Sequence, residues 1–122
     1  MDNPFNFCLI PSLYGYTKVY DPNTPFFAQI NAPSGTSYLI EVNSPAKASK
    51  VAFLCRGIHL LTPTSLHAVG ITAKVSAVLA QHKVPCNVIA GLEHDYFFVP
   101  HAQAEEACAL LNRELGEKNS HG

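Results

Sequence analysis

The chain is short of charge. Only 14% of its 122 residues are Asp, Glu, Lys or Arg, and the net charge is -1. Neither sign dominates, so the electrostatic footprint of a dedicated nucleic-acid binder is missing. A weakly charged surface on a small protein also favours self-association, so an oligomer is expected. No apolar run reaches the roughly 18 residues of a membrane helix. At the N-terminus, Asp2 stands where a signal peptide needs a cation, and Pro11 interrupts the apolar stretch. These features read as a cytoplasmic protein with neither a membrane nor a nucleic-acid partner. Hydrophobic residues make up 48%, which excludes disorder of the whole chain. The length suits a single domain spanning 1–122 with its own core.

Several chemical signatures are missing as well. Cys8, Cys55, Cys86 and Cys108 form no CxxC, and each has apolar neighbours, so four buried, inert thiols are expected. The six histidines, His59, His67, His82, His94, His101 and His121, show no HxxxH or HxH spacing. No metal site and no cofactor are expected from that pattern. There is no GxSxG, phosphate-binding loop or dinucleotide-binding glycine pattern. Pairing Cys86 with His59 or His94 as a nucleophile would need an electropositive, accessible thiol, and only Lys83 lies nearby.

What the chain does carry is periodicity. Residues 12–20, 25–31 and 36–42 read as strands separated by turn chemistry at Asp21-Pro22-Asn23, Pro33-Ser34-Gly35 and Asn43-Ser44-Pro45. Residues 45–50 read as a connection. The stretch 51–62 is apolar enough for a buried central strand. Ala68, Ile71, Val75, Val78, Leu79 and His82 then fall on one helical face, in a helix capped by Thr64 or Ser65 or starting after Gly70. Strands follow at 84–90 and 94–99. A second helix, 101–115, has Ala104, Ala107, Cys108, Leu111 and Leu115 as its apolar face and Gln103, Glu105, Glu106, Asn112 and Glu114 toward water. Gly116 caps it, and 116–122 reads as a flexible tail.

This is an α+β order. Residues 51–115 spell a ferredoxin-like βαββα unit. The N-terminal strands are expected to complete a mixed, mainly antiparallel sheet with both helices on one face. Strands such as 84–90 and 94–99 are apolar on both sides. The second sheet face therefore also needs a cover, either a partner subunit or a fold-back of the first half.

Three motifs, SLHAVGITA, CNVIAG and HDYFFVP, make residues 51–115 resemble small stand-alone ACT-domain proteins of unassigned function. The segment PFFAQINAPSGTSYLIEV resembles their N-terminal strand region, with 12–44 as a degenerate ACT half. The resemblance implies two ACT-like halves sharing one sheet and a dimer. It also implies a regulatory module that binds a small molecule, an amino acid above all, at a domain or subunit interface. Carried onto this chain by motif, the resemblance points to Gly70, Ile71 and Thr72 for carboxylate contacts, with Asn87 and Val88 on the next strand, and Ser65, His67, His94 and Asp95 complete the candidate ligand-binding residues.

The residues themselves leave two readings of Gly70. It either lets a carboxylate approach helix N–H groups or merely permits tight helix–sheet packing. His94-Asp95 likewise reads as a hydrogen-bonded pair facing a pocket or as ordinary turn chemistry. Two further functions stay open: a scaffolding domain that pairs through a strand edge with no small ligand, and an enzyme using His67, His94 and Asp95. The ACT-like reading assigns no catalytic residue.

Overall fold

The computed structural model describes residues 5–62 and 70–116. Ten elements follow in order: β1 (Phe7–Thr17), β2 (Phe26–Ala32), β3 (Gly35–Val42), α1 (Pro45–Ala48), β4 (Ala52–Leu60), α2 (Ile71–Gln81), β5 (Asn87–Ala90), β6 (Asp95–Pro100), a 3-10 turn (His101–Gln103) and α3 (Ala104–Leu115). Six strands form one sheet in the order β2-β3-β1-β4-β6-β5. Every pairing is antiparallel, so the sheet is not mixed by neighbouring strands. The parallel relation of a βαββα unit survives only between β4 and β5, which β6 separates. No helix among the described residues is long and apolar enough to cross a membrane.

β1 starts five residues before the expected strand, because Pro11 does not end it. The register runs from Leu9 opposite Ile58 to Leu13 opposite Arg56. Four steps on β1 thus face two on β4, a bulge that absorbs a residue with no N–H to give. The Arg56 side chain repairs the gap, its Nε donating to the Ile10 carbonyl at 3.0 Å. The 45–50 connection holds a single helical turn. Ser44 caps it, its Oγ accepting from the Lys47 N–H at 3.2 Å.

The helix-bearing face is the larger core. Phe7, Ile58, Leu60, Phe97 and Val99 from the strands meet Ile71, Val75 and Leu79 of α2 and Ala104, Ala107, Cys108 and Leu111 of α3. Leu110 joins the buried face of α3, whereas His82 lies past the end of α2 and is exposed. Asn112 does not face water as its type suggests. Its Nδ2 donates to the Phe7 carbonyl and its Oδ1 accepts from the Phe7 N–H, both at 2.9 Å. The side-chain amide thus pins the start of β1 to α3 as a neighbouring strand would. Gly116 closes α3 in an extended rather than left-handed conformation.

The opposite face is aromatic, and the first half of the chain folds back over it. Leu39, Cys55 and Phe98 are buried there with Tyr14, Tyr16, Phe27, Phe53, Ile89 and Tyr96 around them. Phe27 of edge strand β2 meets Tyr96 at 4.9 Å and Phe98 at 5.1 Å, ring centre to ring centre. In a flat sheet, β2 and β6 would stand about 19 Å apart, four steps of about 4.8 Å. The sheet is therefore strongly curled, with Phe27 as the ring that closes the curl.

Candidate functional site

The chain leaves β4 at Leu60 and enters β5 at Asn87. α2 therefore runs back across the sheet, with its N-terminus at the Leu60–Ala90–Asp95 end and Gln81 at the Asn87–Pro100 end. Gly70 occupies the N-cap position with φ +97, a left-handed conformation that favours glycine. A Cβ placed on it would meet nothing within 4 Å. Gly70 is thus favoured by its backbone angle, and no described residue crowds it. Its carbonyl takes the first helical bond, from the Lys74 N–H at 2.9 Å.

Among the described residues no side chain caps α2, and its first turn carries no acidic residue. α3 is the contrast, with Glu105 and Glu106 in its first turn. A helix start bears roughly half a positive charge on its N–H groups, and at α2 no carboxylate of the same turn offsets it. Ile71 sends its side chain into the core, so it offers the site only backbone. Thr72 and Lys74 are exposed.

The other predicted residues do not gather here. Asn87 lies at the far end of α2's run, and its amide bonds the Tyr16 hydroxyl on the aromatic face. Val88 sits opposite Phe97 on the helix side and is 37% exposed. His94 and Asp95 project to opposite faces. Asp95 is buried in register with Leu60, while the His94 ring meets His59 on the aromatic side. They are not a pair facing one pocket. Ser65 and His67 fall outside the described residues, so an enzyme site built on His67, His94 and Asp95 has only its second and third members in view, and those are divided by the sheet.

The thiols also divide. Cys8 is exposed, against expectation, because alternation along β1 turns it away from the core that buries Phe7. Burial pushes the Cys55 thiol up to about 12 and the Cys86 thiol up to about 11. Cys86 packs on the helix side, away from the face of His59 and His94, so no cysteine–histidine nucleophile forms there. Among the described residues no cluster of three or more His, Cys, Asp or Glu is placed to hold a metal.

The ACT-domain profile matches residues 55–113, from the middle of β4 to the end of α3. Over residues 55–113 the chain resembles an ACT domain. The ACT family is one of small-molecule regulatory modules rather than catalytic domains. The matched stretch holds Gly70 and α2, while β1–β3 lie outside the match. Similarity to solved structures spans both parts. A Vibrio cholerae protein of unknown function, described as a possible transport protein, is 29% identical with a TM-score of 0.77. The alignment covers 94% of this chain and 89% of that one. An aspartokinase structure of alpha and beta subunits shares the fold at 10% identity and a TM-score of 0.64. It is covered over 97% of its chain by 91% of this one. No curated protein matches.

Proposed function

We propose that the chain is a non-catalytic ACT-type sensor that binds an amino acid through its carboxylate. The contacts are the backbone N–H groups of Gly70, Ile71 and Thr72, and the observation that carries the reading is the start of α2. Among the described residues that turn has no side-chain cap, no acidic residue of its own and no atom crowding a Cβ at Gly70. A small anion suits such an end. Ser65 and His67 precede this turn in the sequence and lie outside the described residues. Val88 lines it from β5, on the same side of the sheet as α2. Asn87, bonded to Tyr16 at the other end, acts on the aromatic face instead.

Binding is passed on through a homodimer. Among the described residues β5 ends the sheet with one side unpaired, and Ala90 lies at the α2 N-terminal end. A second copy joined at this edge would share the site, so a ligand with unequal affinity for paired and unpaired states shifts that equilibrium. The test is a thermal-shift series with each amino acid at millimolar concentration beside the amine lacking its carboxylate. At one hundred times its Kd a ligand adds about 2.7 kcal/mol. At about 4 °C per kcal/mol for this chain length, that is a rise of about 11 °C. Stabilisation by an amino acid and not by its amine supports the reading. No response to any amino acid, or equal responses to acid and amine, overturns it.

A further inference from the structure

β4 and β6 bring two histidines together on the aromatic face. His59 stands opposite Tyr96 of β6 and opposite Cys8 of β1, and His94 lies one residue ahead of β6. The two imidazoles meet edge to face with 4.8 Å between centroids, and His59 stacks on Tyr96 at 4.6 Å and 14°. Nε2 of His59 and Nδ1 of His94 are both buried, and neither has a hydrogen-bond partner among the described residues. Buried polar nitrogens are seldom left this way.

The neutral and charged forms of such a pair differ sharply. A neutral imidazole has one N–H and one bare nitrogen, so it tolerates a missing donor. A protonated ring carries N–H on both nitrogens, and here the second would be buried with no acceptor beside another imidazole. We propose that His59 and His94 form an acid-sensitive latch, closed while both rings are neutral and opened by protonation, that controls the fold-back of β2 over the sheet. Tyr96 is the link, since the ring that stacks on His59 also abuts Phe27, which closes the curl.

The titratable groups around the latch are few. β1 offers Cys8 across from His59, and β6 offers Tyr96. β2 reaches the pair only through Phe27 on Tyr96. Glu93 neighbours His94 in the turn but is exposed, and neither histidine takes part in an ion pair among the described residues. Asp95 faces the other side of the sheet.

The ring face of Tyr96 would favour a cation on His59. Burial, reinforced by His94, outweighs it and holds the His59 pKa below the ordinary imidazole value. Below about pH 6.5 the unfolded chain then binds more protons than the folded one. The latch's stability is complete above that pH and is lost as pH falls toward the lowered folded value. Each unit of separation multiplies the unfolding constant about tenfold.

The test is an NMR titration of the wild-type chain from pH 8 to 5, following the imidazoles and the rings of Tyr96, Phe27 and Phe7. His59 should titrate below its ordinary midpoint. Tyr96 and Phe27 should shift with it, while Phe7, in the helix-side core, stays still. Thermal unfolding of the His59→Phe, His94→Phe double variant gives a second readout. It keeps two rings and should lose less in folding equilibrium between pH 7 and 5 than wild type. Titration of His59 at or above its ordinary value, or a Tyr96 and Phe27 response no larger than that of Phe7, overturns the proposal. An unchanged pH profile in a folded double variant does so as well.

Discussion

Replacing Gly70 separates a backbone requirement from a packing one. At φ +97 an L-residue is strained by about 1–2 kcal/mol, and Gly70→Ala regains part of this by stiffening the unfolded chain. The Cβ itself meets nothing within 4 Å, so no steric contribution is added. The net loss is about 1 kcal/mol, or about 4 °C in Tm. Asparagine enters the left-handed region more easily than alanine. Gly70→Asn should therefore cost roughly half as much despite its larger side chain. Gly70→Leu should lie close to Gly70→Ala, since both meet the same backbone strain at φ +97. Differential scanning calorimetry of the three variants at one pH and concentration reads these differences directly. If the loss instead rises with side-chain volume, from Ala through Asn to Leu, space rather than φ limits the position. The open corner beside α2 would then be an error of this account.

Two further outcomes follow from other parts of the fold. Asn112→Ala removes both bonds to the Phe7 backbone, leaving a half-buried N–H unmatched and the carbonyl with only the Cys108 thiol at 3.7 Å. A loss of about 2 kcal/mol is expected, or about 8 °C in Tm, with unchanged far-UV circular dichroism. A thiol reagent at pH 8 should label Cys8 quickly and leave Cys55 and Cys86 unlabelled until the chain unfolds, as mass spectrometry of timed samples would show. The same raised values make the fold sensitive to alkali. Above about pH 8.5 the unfolded thiols ionise while Cys55 and Cys86 stay protonated, so stability falls as pH rises through that range.

The second half of the chain was legible because its periods are strong. HDYFFVP and the Ala107, Cys108, Leu111 spacing placed β6 and α3 to within a few residues, and the α2 start after Gly70 was one of the two readings of that stretch. The first half hid its start. Pro11 reads as a breaker, and only the pairing with β4 shows a bulge that carries the strand through it. The need to cover both sheet faces followed from apolar strands, but Phe27 as the closing ring did not, since its partners lie on β1 and β6. Asn112 shows the same limit, because a polar residue on a helix reads as solvated until Phe7, 105 positions away, arrives beside it.

At the site, residue type singled out Gly70 while spacing misled. Asn87 and Gly70 are linked by motif, yet one helix length divides them. His94 and Asp95 are neighbours in sequence and therefore point to opposite faces of their strand. The His59–His94 contact had no local signal beyond the alternation that puts His59 on the side of Cys55 in β4.

The most direct measurement is a nitrogen–proton NMR map of the chain with an amino acid that stabilises it. The Gly70, Ile71 and Thr72 amides should move most, downfield and saturably, while Asn87 and the aromatic face respond little. Saturable shifts centred on Tyr96 or Asn87, with the α2 amides unmoved, would contradict the account.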